Sequence, residues 1–188
     1  MTSWKTIDSK IVYQNNWIRV VEEKFERPDG TGGLYGVMKT KGGVGVVASD
    51  FAHKIIFVAQ FRYPAAVYSL EIPKGAFDQF NGIETAIEAA QRELKEETGI
   101  LAGDWLKLAT IHTLLGYSDD TVHLFAAKNV IEGESKLDED ERIEVIRLTF
   151  EEAIQAINAE VIIGGIGYRI TDATTIAALF MARQASMI

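Results

Sequence analysis

Glu93, Glu96 and Glu97 stand at spacings i, i+3 and i+4 in the run RELKEETGI, residues 92–100. Residues three and four apart on a helix are surface neighbours, so this spacing gathers three carboxylates into one short patch. Like charges so placed weaken an exposed helix by ~0.2–0.5 kcal/mol per pair unless a cation lies between them. An all-oxygen cluster suits a hard divalent ion, Mg2+ above all, which binds through a few carboxylates together with substrate phosphates. A solvated acidic face would account for the same spacing, so spacing alone leaves both readings open.

The helix that must carry these groups has defined ends. Thr85 followed by Glu88 makes a capping box, and Gly99 supplies a left-handed stop. Ile87, Ala90 and Leu94 form an apolar stripe for a core, with the glutamates largely off it. Glu88 with Arg92, and Arg92 with Glu96, are i, i+4 pairs that would hold Arg92 across the acidic face.

Around that helix the chain reads mostly as strands. Trp17 to Arg27 mixes apolar and charged positions, Pro28-Asp29-Gly30 signals a turn, and Leu34 to Lys39 reads as a returning strand. Residues 1–40 are therefore expected to form an antiparallel hairpin ahead of a main domain over 41–188. Short strands are expected at Val44 to Ala48, Ile55 to Phe61 and Tyr68 to Ile72, the last running into Pro73-Lys74-Gly75. Further strands are expected at Leu106 to Leu114, Val122 to Lys128 and Val145 to Leu148. Between the last two, Glu132 to Glu144 is acidic and turn-rich. Phe150 to Ile157 reads as a short helix; Gly164, Gly165 and Gly167 break the chain before a final apolar helix from about Asp172 to Gln184. This order predicts an α+β fold with a mixed sheet.

Composition narrows the chemistry. A chain of 188 residues is ample for one core, and 47% apolar with 24% charged residues is ordinary for a soluble globular protein. A net charge of −8 argues against a nucleic-acid surface, which needs clustered Lys and Arg. An acidic protein can still take a pyrophosphate if metal ions bridge the two sets of charge. The absence of cysteine excludes disulfides, a thiol nucleophile and thiolate metal ligands. The opening MTSWKTIDSK has no signal-peptide pattern, and no apolar run approaches the ~20 residues that span a bilayer. A cytoplasmic protein with neither nucleic-acid nor membrane partners is expected.

Arg92-Glu93-Leu94-Lys95-Glu96-Glu97-Thr98-Gly99-Ile100 fits the second half of the Nudix box, Arg-Glu-apolar-x-Glu-Glu-x-Gly-apolar, at every fixed position. Glu84, eight residues before Arg92, fits the preceding glutamate of the box. The chain thus resembles the Nudix hydrolase superfamily. Gln60-Phe61-Arg62-Tyr63-Pro64 and Glu71-Ile72-Pro73-Lys74-Gly75, with the N-terminal hairpin, resemble its ADP-ribose and nucleoside diphosphate-sugar pyrophosphatase branch. One departure lies upstream. The family's leading glycine falls six residues before the first glutamate, where this chain has Asp78; Gly75 sits nine before it, so the loop carries about three extra residues.

The resemblance implies a mixed sheet sandwiched by helices (α/β/α) and a homodimer in which the N-terminal segment helps bind the neighbouring subunit's substrate. It implies Mg2+-dependent hydrolysis, with Mn2+ able to substitute, of ADP-ribose or a related nucleoside diphosphate sugar to a nucleoside monophosphate and a sugar phosphate. A dinucleotide or NADH as substrate, or a non-hydrolysing nucleotide sensor, are the alternatives. By position in the motif, Glu93, Glu97 and then Glu96 are the metal ligands, completed by the backbone carbonyl of Lys74. Arg92 would orient the cluster, and Glu84 would partner Arg92 rather than bind metal. The general base is expected in the acidic loop, Glu141 first and Glu139 as the alternative. Arg62 is placed either to grip a phosphate or to make an edge ion pair, and Glu71 either to contact a ribose or to order Arg62. Trp17 and Arg19 are candidates for nucleobase contact across a dimer, with Trp17 equally readable as core.

Overall fold

The computed structural model describes residues 3–77, 84–133 and 143–188. The chain divides into two compact units, residues 1–42 with 112–121, and residues 43–111 with 122–188.

The first unit is a three-stranded antiparallel sheet in the order β1 (Lys5–Gln14), β2 (Arg19–Glu26), β3 (Gly32–Lys39). The expected hairpin is β2 and β3, paired from Arg19 with Lys39 to Glu26 with Gly32. The sequence reading missed β1, which adds to the other edge of β2 with two register shifts. Asn15 closes the β1–β2 turn by accepting the Trp17 and Ile18 N–H groups, a side-chain turn typical of Asn. In the β2–β3 turn Asp29 accepts from Thr31, and Gly30 takes φ 83°, which suits glycine. Trp4 stacks on Phe25 at 4.7 Å, and the Arg27 guanidinium lies 5.0 Å over Trp4. The segment 112–121 docks on β3, where the Ser118 hydroxyl donates to the Met38 carbonyl and the Tyr35 hydroxyl to that of Gly116.

The second unit carries the acidic helix. Its first sheet has the order β7-β4-β9-β8, from β7 (Lys74–Ala76), β4 (Gly43–Ala48), β9 (Thr121–Ile131) and β8 (Leu101–His112). Strands β4 and β9 run parallel while β4 and β7 run antiparallel, so the sheet is mixed. A second sheet has the order β10-β5-β6, from β10 (Glu144–Leu148), β5 (Ile55–Arg62) and β6 (Val67–Glu71). The helices are α1 (Ala86–Thr98), α2 (Phe150–Ala156) and α3 (Ala173–Gln184). The glycine-rich break is a hairpin of β11 (Val161–Ile163) and β12 (Ile166–Tyr168), turned by Gly164 and Gly165 at φ 57° and 84°.

Strand β4, buried at every position, separates two apolar clusters. Val44, Val46 and Ala48 pack with Ala89, Ala90 and Leu94 of α1 on one side. Val47 packs with Ala153 and Ala156 of α2 and Ala178, Leu179 and Ala182 of α3 on the other. A strand covered by helices on both faces reads as a continuous apolar run, as GVGVVA does. This is the α+β architecture with helices on both faces of mixed β-structure. Thr85 and Glu88 form the capping box, and Gly99 closes α1 at φ 73°. Among the described residues no helix is long and apolar enough to cross a membrane.

Candidate active site

Two side-chain networks in the second unit surround β7. The first is built on Arg92. Its Nε donates to Glu84 Oε1 at 2.8 Å, and Nη2 donates to Glu84 Oε2 at 3.2 Å and to the Ala76 carbonyl at 3.0 Å. Its Nη1 donates to Glu93 Oε1 at 2.8 Å and to Glu96 Oε2 at 2.9 Å. Five hydrogen bonds thus match the five N–H donors of a guanidinium, a fork geometry that lysine lacks. The bonds to Glu84 raise the Arg92 pKa above its ordinary value, and the charge and bond of Glu93 and the bond of Glu96 reinforce them against partial burial. Arg92 is therefore a permanent cation that ties Glu84, Glu93 and Glu96 to the end of β7. Glu88 does not join it, contrary to the expected pairing. Its carboxylate accepts the Thr85 N–H at 2.8 Å and the Thr85 hydroxyl at 2.6 Å, which completes the cap.

The acidic face meets β7 through main chain. The Lys74 N–H donates to Glu97 Oε2 at 3.1 Å, and Glu97 is only 5% exposed, deeper than a glutamate off the apolar stripe would be. A Cβ built on Gly75 would overlap the Glu93 carboxyl, so glycine lets strand and carboxylate touch. Among the described residues, no group of three or more acidic, His or Cys side chains is already arranged to hold a metal. The donor chemistry nonetheless fits a hard cation. Glu93, Glu96 and Glu97 offer oxygen only, with Glu97 beside the Lys74 backbone, Glu93 beside Gly75 and Glu96 on Arg92. Three carboxylates, those of Glu84, Glu93 and Glu96, share the Arg92 guanidinium, while Glu97 accepts the Lys74 N–H.

The second network is built on Glu71, which is 2% exposed at the end of β6. Arg62, across the hairpin on β5, donates Nε to Glu71 Oε1 at 3.0 Å and Nη2 to Oε2 at 2.6 Å. Lys74 Nζ lies 3.0 Å from Glu71 Oε2 and 2.9 Å from Asp172 Oδ2. Burial opposes ionisation of Glu71, but the Arg62 hydrogen bonds and the Lys74 charge outweigh it and hold its pKa down at about 2. Burial likewise opposes the Arg62 charge, and the bonds to Glu71 with the nearby Glu97 and Asp172 charges raise its pKa overall. Of the two roles expected for Glu71, the structure displays the ordering of Arg62.

The remaining expected residues are distributed differently. Glu139 and Glu141 lie outside the described residues, as do Asp78 and the rest of 78–83. Trp17 and Arg19 belong to the first unit. Trp17 is 75% exposed, so it is not core, and Arg19 Nε donates to Gln14 Oε1 at 3.2 Å. Sequence reasoning missed the Lys74 side chain as a participant, placed Asp172 only at the start of the last helix, and missed Thr175. An aspartate immediately before an apolar helix is a capping signal that pointed to Asp172. A cavity of about 540 Å3 lies between α2 and the end of α3, where Lys128 donates to a main-chain oxygen of Ser186 and Arg183 to one of Ile188.

A family described as the NUDIX domain matches residues 39–163, and one described as the nucleoside diphosphate sugar hydrolase N-terminal domain matches residues 4–38. The chain belongs to the Nudix family and is a Nudix pyrophosphohydrolase, with hydrolytic activity on nucleoside diphosphate compounds. It is 35% identical to an ADP-ribose pyrophosphatase of Bacillus subtilis over 82% of this chain and 83% of that protein. It is 31% identical to a methanol dehydrogenase activator of Bacillus methanolicus over 93% of this chain and 90% of that protein. A crystal structure of an ADP compounds hydrolase shares the fold, with a TM-score of 0.79 at 20% identity over 98% of this chain and 95% of that one.

Proposed function

We propose that the protein hydrolyses the pyrophosphate bond of ADP-ribose or a related nucleoside diphosphate sugar, with Mg2+ as cofactor, to a nucleoside monophosphate and a sugar phosphate. The observation that carries this reading is Arg92 holding Glu84, Glu93 and Glu96 against β7 while Glu97 accepts the Lys74 N–H. Similarity to the Bacillus subtilis ADP-ribose pyrophosphatase supports the choice of substrate class.

Glu93, Glu97 and Glu96, with the Lys74 carbonyl, would hold the metal. Bound there, it would neutralise charge developing on the phosphoryl oxygens and lower the pKa of the attacking water. Arg92 keeps three carboxylates and the Ala76 carbonyl in a fixed frame, so little reorganisation is needed as charge develops. Arg62, oriented by Glu71, would bind a phosphate. Glu141, or else Glu139, would take the proton from the water. Trp17 and Arg19 would contact the nucleobase of a neighbouring subunit's substrate in a cytoplasmic homodimer.

A hydrolysis screen with Mg2+ over ADP-ribose, GDP-mannose, UDP-glucose, NADH and diadenosine compounds tests this reading. Fastest turnover is expected on ADP-ribose, yielding AMP and ribose 5-phosphate. Preference for NADH or a dinucleotide would move the substrate class. Tight nucleotide binding with no turnover of any compound would point to a sensor.

A further inference from the structure

Lys74 occupies an awkward place in an acidic site. Its backbone N–H is bonded to Glu97, so its flexible four-carbon stem begins beside the carboxylates proposed for the metal. An ammonium with three donors is a ready counter-ion for such a cluster, and there it would compete with a divalent cation. The structure holds it elsewhere, on Glu71 and Asp172. Glu71 alone is a poor holder, since Arg62 already engages both of its oxygens. Asp172 supplies the second anion.

Asp172 is itself fixed. It is the N-cap of α3, and its Oδ2 accepts the Thr175 N–H at 2.9 Å and the Thr175 hydroxyl at 2.7 Å. The fully buried Thr175 hydroxyl oxygen in turn accepts the Ile72 N–H at 3.2 Å. The first turn of α3 is thereby tied to the β6–β7 connection at Ile72 through main chain and at Lys74 through the side chain.

We propose that Asp172 is a positioning residue that keeps the Lys74 ammonium out of the acidic cluster and so leaves Glu93 and Glu97 to a divalent cation. Thr175 fixes the Asp172 oxygen that does this. The inference rests on the metal-binding reading of those glutamates given above.

Mn2+ binding by calorimetry, without nucleotide, tests it independently of turnover. Asp172→Asn keeps an oxygen for the helix cap but loses the charge that holds Lys74. Its Mn2+ affinity is expected to fall by about 10-fold or more, as for loss of other partners just outside a metal's ligands. Adding Lys74→Met to Asp172→Asn removes the competing ammonium and is expected to restore most of that affinity. A damaged helix end would not be repaired by deleting Lys74, so rescue separates positioning from mere support. Unchanged affinity in Asp172→Asn, or a loss that Lys74→Met does not rescue, overturns the proposal. If Asp172→Asn does not fold, Asp172→Ser, which keeps a favoured capping residue, carries the same pair of measurements. Absence of Mn2+ binding by the unsubstituted protein would overturn the metal reading itself and this inference with it.

Discussion

The Cα of Gly75 lies so close to the Glu93 carboxyl that any Cβ at this position would occupy the same space. The reason for glycine here is contact rather than a left-handed turn, because Gly75 is absent from the positive-φ positions and the Glu93 carboxyl it faces is held in place by Arg92. Gly43 presses from the neighbouring strand, where a Cβ would stand 2.5 Å from the Gly75 carbonyl oxygen. Gly75→Ala should therefore push β7 and Glu93 apart. Displacements of about 1 Å near reacting groups can cost on the order of 10²-fold in rate. We expect a kcat loss of at least ~10-fold with an unchanged circular dichroism spectrum. Wild-type turnover in this variant would show that the β7–α1 contact does not matter to the chemistry.

Glu97 is the most deeply buried carboxylate of the acidic face, and one of its oxygens serves the Lys74 N–H. Glu97→Gln keeps that acceptor and the side chain's shape while removing the charge. The fold should persist, with turnover reduced by about 10²–10³-fold, the range for losing a strong electrostatic stabiliser. Retention of near-normal activity would remove Glu97 from the metal assignment. For the proton acceptor, Glu141→Gln should lower kcat with little change in substrate binding. If Glu139→Gln is instead the damaging change, the order of the two is reversed.

Arg92→Lys tests whether the five-bond fork, rather than a positive charge alone, organises the site. Lysine has three donors on one atom and cannot reach Glu84, Glu93, Glu96 and the Ala76 carbonyl together. A loss of roughly 10–100-fold in metal affinity or turnover is expected, as for other residues that orient metal ligands. A variant that matches wild type in both would reduce Arg92 to a simple counter-ion.

What the sequence disclosed follows from how local each signal is. Helix α1 was legible to its ends because a capping box and a left-handed glycine are written within a few residues of the termini they define. The Arg92–Glu84 and Arg92–Glu96 pairs were legible because helix spacing and the Nudix box give them directly. Strand β1 was not, since all ten of its residues are exposed and two register shifts break its alternation, leaving no period to read. The β11–β12 hairpin did carry a signal, two glycines between short apolar runs, but three glycines in four positions read more readily as a break. The Lys74–Asp172 ion pair joins β7 to the distant α3, and nothing within either segment announces the other. The site was thus readable on the helix and much less so on the groups that brace it from across the fold.

Glu71 gives a prediction with a defined pH window. Its pKa falls from the ordinary 4.5 to about 2 in the folded chain, because the Arg62 bonds and the Lys74 charge outweigh burial. A carboxyl depressed on folding adds stability above its unfolded pKa and loses it as pH falls through the folded one. At about 1.4 kcal/mol per pKa unit, the contribution near neutral pH is on the order of 3 kcal/mol. Glu71→Gln should therefore be destabilised relative to wild type above about pH 5 by an amount of that order. The gap should narrow steadily as pH is lowered from about 4.5 toward 2. Denaturant unfolding of both proteins across that range measures it, since the other carboxylates are common to the two. A gap that stays constant with pH would mean that Glu71 contributes through packing alone, and that its charge is not what orders Arg62 and Lys74.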